Sequence, residues 1–178
     1  MAEFLLELYS EEIPPKLQIN ARNQLKLFTE KSFNEKGINL KKIHIYSSPT
    51  RLSLLIKDLP EQIKILSKEI KGPKVGSAEN ILEGFAKAKN ILKKDLFKKE
   101  TDKGTFYFIK TNSKSILVED LLKEIIPKSL ATLSWKKSMK WSNYNLAWGR
   151  PLRSILALFS NKKLVFKFDH LESTDNVI

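Results

Sequence analysis

The nineteen residues from Trp135 to Arg153 hold all three tryptophans and two of the four arginines of the chain. They read Trp135-Lys136-Lys137-Ser138-Met139-Lys140-Trp141, then Tyr144, Trp148-Gly149-Arg150-Pro151 and Arg153. Aromatic faces stack on unpaired bases and interleaved cations hold the phosphates between them, so this pattern has the chemistry of a nucleic-acid contact. The same residues also suit a loop-rich core, with Trp135, Met139, Trp141 and Trp148 as apolar anchors and lysines reaching outward along their stems. Lys136, Lys137, Lys140, Arg150 and Arg153 are the cationic candidates, and Trp141 and Trp148 are stacking or structural residues. Arg51 joins them, because it follows a proline turn in a chain whose basic residues are otherwise almost all lysine. Its planar five-donor fork suits phosphate or carboxylate.

The search for a catalytic centre is mostly negative. Gly72, Gly76 and Gly84 are too widely spaced for a phosphate-cradling loop. No serine sits in a Gly-x-Ser-x-Gly elbow. The two histidines, His44 and His170, lack a neighbouring acidic cluster and there is no cysteine, so no zinc site is expected. Glu7, Glu11 and Glu12 form the one tight acidic group. Paired carboxylates can do acid–base work, including hydrolysis, when their environments separate their pKa values. The plainer expectation is that they decorate the start of a helix, facing the positive end of its dipole.

Composition narrows the partners. Apolar residues make up 42% of 178 residues, enough for a folded core of one sizeable domain or two small ones. The absence of cysteine excludes disulfides and thiolate chemistry and fits a reducing cytoplasm. The apolar runs are too short to span a bilayer, and the N-terminus lacks the basic and apolar regions of a signal peptide, so a soluble, cytoplasmic protein without a membrane partner is expected. The net charge of +12 points to a polyanion. Lysine supplies 28 of the 32 basic residues, however, beside abundant Asn and Ile, a pattern that AT-rich coding would also give.

Periodicity supplies the elements that must position these residues. Phe4–Tyr9 reads as a strand, and Pro14-Pro15 opens a helix with Leu17, Ala21, Leu25 and Phe28 on one face and Gly37 at its close. Residues 43–46 and 52–56 read as strands joined by the turn 47–50. A further strand runs from Ile63 through Ser67 or Ile70 and ends at Gly72-Pro73. Residues 79–99 predict one or two helices with an apolar stripe including Phe85 and Leu92, and with Lys87, Lys89, Lys93, Lys94, Lys98 and Lys99 on the rest. Asp102-Lys103-Gly104 reads as a turn, 106–110 as a strand and Val118–Leu130 as an amphipathic helix. Strands at 154–159 and 164–168 flank a turn at 160–163. The fold class is therefore α+β, with mixed, mostly antiparallel sheets and several amphipathic helices, and a possible internal boundary near 72–78.

Taken in order, these segments resemble the N-terminal region of the β subunit of bacterial-type glycyl-tRNA synthetase. Glu3–Pro15 is similar to the family's opening strand and Glu-Glu-hydrophobic-Pro turn. Ser48–Leu54 resembles its proline-x-arginine-leucine strand entry, Lys71-Gly72-Pro73 its glycine-proline turn, and Glu83-Gly84-Phe85-Ala86 its aromatic helix. Thr101–Gly104 resembles a further turn. Met139-Lys140-Trp141 followed by Arg150-Pro151 resembles its methionine-basic-tryptophan and arginine-proline pair. Each motif is short, and their collinearity over the whole chain is the specific signal.

The resemblance implies an accessory subunit of an α2β2 glycine–tRNA ligase. The α subunit would carry the active site and use ATP with Mg, while the β subunit binds tRNA(Gly). The fragment itself would bind no cofactor and hold no catalytic residue. The family's HD-like and C-terminal anticodon-binding domains are not in these 178 residues, so an N-terminal fragment is expected. An alternative role is a subunit-interaction scaffold without direct RNA contact.

Overall fold

A computed structural model describes residues 2–65, 69–89, 96–101, 104–110 and 114–176, with the side chains of Lys64, Ile65, Lys89, Lys110 and Lys114 left out. The expectations at Ser67, Leu92, Lys93, Lys94, the side chain of Lys89 and the Asp102-Lys103 part of the turn lie outside the described residues. The chain divides into one unit of residues 1–63 and 116–178 and a second of residues 64–115, so residues 72–78 fall inside the second.

In the first unit, β1 (Ala2–Ser10) is the middle strand of a five-stranded antiparallel sheet. The sheet also contains β2 (Lys42–Ser47), β3 (Arg51–Leu59), β9 (Leu152–Phe159) and β10 (Lys162–Lys163), in the order β10-β9-β1-β3-β2. Strict alternation puts Phe4, Leu6 and Leu8 of β1 on one face, where they are buried with Leu52, Leu54 and Ile56 of β3. That face is covered by α1 (Pro15–Glu35), through Ala21, Leu25 and Phe33, and by α3 (Val118–Ala131), through Leu121, Leu122, Ile125 and Ile126. These residues belong to one continuous apolar cluster, the main energetic reason for the arrangement. Helix α3 runs through Pro127, because burial of Ile126 and Leu130 on either side outweighs one lost backbone bond.

Helix α1 begins at Pro15 with no acid in its first turn, so Glu11 and Glu12 do not serve its dipole. Gln18 instead donates back to the Ile13 carbonyl at 2.7 Å. The β9–β10 hairpin turns on Ser160 and Asn161 alone, with φ of 50° and 61°. Two successive left-handed residues give the twist of a tight hairpin, so pairing resumes at Lys162 rather than Leu164. Residues 164–166 then lead to β11 (Lys167–Phe168), which pairs with β12 (Leu171–Glu172) across Asp169-His170.

The strands β4 (Gln62–Ile65) and β8 (Lys114–Leu117) pair as a two-stranded ladder. The second unit is built on a three-stranded antiparallel sheet, β5-β7-β6, comprising β5 (Glu69–Lys74), β6 (Leu96–Thr101) and β7 (Gly104–Lys110), with α2 (Glu79–Lys89) against β5. Two expectations change here. Helix does not extend through 99, because residues 96–101 pair with β7 and Phe97 stacks on Phe108 at 6.1 Å. Nor does Gly72-Pro73 end a strand. The register slips between Lys71 and Lys74, and β5 continues. A side chain at Gly72 would stand 2.8 Å from the Phe85 ring, so the bare glycine is what admits that ring.

Candidate nucleic-acid interface

The segment between α3 and β9 has almost no regular structure, and its shape is set by tryptophan packing. Trp148 is 2% exposed, stands 5.0 Å from Trp135 and receives Phe168 edge-on at 5.7 Å. Met139 and Trp148 exchange both backbone hydrogen bonds, at 2.8 and 3.1 Å, and so close residues 140–147 into a loop. A Cβ on Gly149 would lie 2.3 Å from the Trp135 ring, so a glycine is required for that ring to seat. Trp148 thus has no free face for a base. It is an anchor.

The anchors leave the lysines outside. Lys136, Lys137 and Lys140 are exposed and, among the described residues, form no ion pair. The arginines differ. Arg51 donates to the carboxylate of Glu7 and lies over the Tyr9 ring at 5.0 Å, and Arg153 donates to the carboxylate of Glu11. Two of the expected phosphate contacts are therefore already neutralised, by two members of the acidic group. Arg150 is half-buried and donates to the Gly149 carbonyl at 2.9 Å.

Three chain segments converge where these arginines sit. The N–H of Ser10 donates to the Thr50 carbonyl at 2.9 Å, that of Ile13 to Pro49 at 2.6 Å, and that of Glu11 to Pro151 at 3.0 Å. Between them lies a groove of ≈ 420 Å³ lined by Glu12, Pro14, Pro15, Pro49 and Arg150. Lys136, Lys137, Lys140 and Trp141 are not among its walls.

A second cluster joins Trp141 and Tyr144 of the aromatic–basic segment to His170, which spacing alone does not mark. Tyr144 and His170 lie face to face, 3.6 Å apart and 6° from parallel, with the half-buried Trp141 edge-on to both. Asp169 holds the His170 ring through a 2.9 Å contact to Nδ1. A groove of ≈ 560 Å³ lined by Lys128, Asn145, Leu146, Lys167, Phe168 and Asp169 adjoins these residues along the chain. Lys128 donates to Glu124 at 2.8 Å, and with Lys36 it holds that carboxyl below the usual range. Among the described residues no three His, Asp or Glu side chains are grouped to hold a metal ion. No helix among them is long and apolar enough to cross a membrane.

The model of the glycyl-tRNA synthetase beta subunit family matches residues 4–178. The chain belongs to that family. It is 38% identical over 176 residues to the glycine–tRNA ligase beta subunit of Rickettsia canadensis, a match covering 98% of this chain and 26% of the relative. The corresponding subunit of Rickettsia prowazekii is 39% identical over 178 residues, covering 99% and 26%. That of Rickettsia bellii is 39% identical over 176 residues, covering 98% and 26%. The chain thus spans about a quarter of the length of the curated relatives it matches. The segments that resemble the family, although dispersed in sequence, include the three that converge at the arginine end of the sheet: Ser10–Pro15, Pro49–Arg51 and Arg150-Pro151.

Proposed function

We propose that this region of a glycine–tRNA ligase β subunit holds tRNA(Gly) in place while ATP-dependent glycylation proceeds on the α subunit of an α2β2 cytoplasmic assembly. The observation that carries the reading is the loop between Met139 and Trp148 and its approach. It is fixed from beneath by buried tryptophan, and it presents Lys136, Lys137 and Lys140 to solvent without carboxylate partners among the described residues. Phosphate contacts of this kind set position and orientation rather than chemistry.

A purely positional role acts through substrate binding. In the assembled ligase, Lys140→Ala and Arg150→Ala should raise KM for tRNA by roughly two- to fivefold each, as for exposed contacts worth up to about 1 kcal/mol, and leave kcat nearly unchanged. An unaltered KM in both variants would remove these residues from the reading.

The scaffold alternative draws support from the pairing of Arg51 and Arg153 with Glu7 and Glu11, and of Lys42 and Lys57 with Asp58 and Glu3. Much of the charge on the sheet is balanced internally, as a surface for protein contact would be. On that reading the region co-purifies with α and has no salt-sensitive affinity for RNA.

A further inference from the structure

We propose that Tyr144 is the stacking platform for one unpaired base of the bound RNA, with His170 as its backing. The proposal rests on the tRNA-holding reading above and names the chemistry by which part of that contact is made. One face of the Tyr144 ring is covered by His170 at 3.6 Å. Trp141 stands 5.7 Å from His170 but 6.4 Å from Tyr144. It therefore lies beside the stack on the His170 side, and among the described residues no other ring covers the far face of Tyr144. Tyr144 is 41% exposed, in keeping with one open face.

The ring is also backed by fixed neighbours. Trp141 and Tyr144 share a turn, with the Tyr144 N–H 3.3 Å from the Trp141 carbonyl, and Asp169 fixes the His170 ring behind it. A planar group landing on Tyr144 would extend an ordered stack without ordering a side chain first. The occupant is identified by its surroundings. Lys140 on the same loop, Lys136 and Lys137 on the segment leading into it, and Lys167 beside the turn carrying His170 are exposed and make no ion pair among the described residues. An aromatic face in a segment that also carries unpaired cations fits a base with its flanking phosphates. Asn145, next in the chain and lining the ≈ 560 Å³ groove, can pair with a base edge through its amide.

The test uses the assembled ligase with tRNA(Gly) and, separately, a blunt RNA duplex without unpaired nucleotides. Tyr144→Phe should bind tRNA within about twofold of the parent. Tyr144→Ala and Tyr144→Leu should weaken it by roughly five- to hundredfold, the span of one stacked base. Their salt dependence should match the parent's, because a stacked base releases no counterions. Affinity for the duplex should not move. Tyr144→Leu keeps the apolar bulk and guards against simple loop collapse, checked by an unchanged thermal midpoint.

Unchanged tRNA affinity in both variants, while Lys136→Ala/Lys137→Ala/Lys140→Ala weakens it, overturns the platform and leaves the holding reading intact. If neither set changes affinity, both fail. Equal losses on tRNA and duplex, or loss of α-subunit assembly in Tyr144→Leu, also overturn the platform.

Discussion

The side-chain amide of Gln24 accepts from the N–H of Ser134 and donates to its carbonyl, each at 2.9 Å. One side chain of α1 thereby closes both backbone groups of the residue that starts the tryptophan loop. The pair is exposed, so each bond is worth only about 0.5–1.5 kcal/mol net. Its value is in position. Gln24→Ala should lower global stability by roughly 1–2 kcal/mol and weaken tRNA binding although it removes no charge. Amide hydrogen exchange at Ser134 and Trp135 checks this. Protection equal to the parent's would show that the clamp holds nothing.

Gly149→Ala should disturb the loop from its other end. The added methyl group meets the Trp135 ring at 2.3 Å, closer than real side-chain carbons approach, so the ring must leave its place against Trp148. A cost of about 1–3 kcal/mol follows from such overpacking. The indole emission should shift to the red as Trp135 gains water. A variant with parent-like emission and stability would contradict the packing described.

Lys42 and Asp58, joined at 2.7 Å between β2 and β3, give a pH signature. The hydrogen bond from Lys42, with its charge, holds the Asp58 carboxyl below the usual range, and the same pair raises Lys42. A carboxyl depressed in the folded state stabilises fully above its unfolded pKa and loses that contribution as pH falls through the folded one. The lysine contribution is present below its ordinary value and fades as pH rises through the raised one. Carbon-detected NMR titration of Asp58 should place its midpoint under that of a free aspartate. Asp58→Asn, which suits the left-handed backbone at φ 60°, should abolish the signature without straining the strand there. A midpoint at the ordinary value would remove the pair as a stabilising contact.

The sheet of the first unit and its two helices were legible because their signals are periodic. Phe4, Leu6 and Leu8 alternate, Leu17, Ala21 and Leu25 recur at helical spacing, and burial follows both patterns. What was not legible depends on partners distant in sequence. Residues 96–99 carry a lysine-rich pattern that reads as helix until β7 is beside them. The Glu7–Arg51 and Glu11–Arg153 pairs give two of the candidate phosphate ligands carboxylate partners, and no spacing rule encodes them. Tyr144 stood in the aromatic–basic segment from the start. That its backing is His170 required the β11–β12 turn to return the chain to the loop. Trp148 drew attention for the right composition, yet its burial removes it from any contact with a base.

Salt separates a lysine loop that neutralises phosphates from one that is merely exposed. The affinity of the assembled ligase for tRNA(Gly) should be followed from low to physiological salt for the parent, for Lys136→Ala/Lys137→Ala/Lys140→Ala and for Arg153→Ala. Each phosphate neutralised contributes about 0.7–0.9 to the slope of log affinity against log salt. The triple variant should therefore lose roughly two units of slope, and Arg153→Ala, whose charge Glu11 already balances, should lose almost none. A triple variant with the parent's slope and affinity would show that these lysines do not touch the RNA.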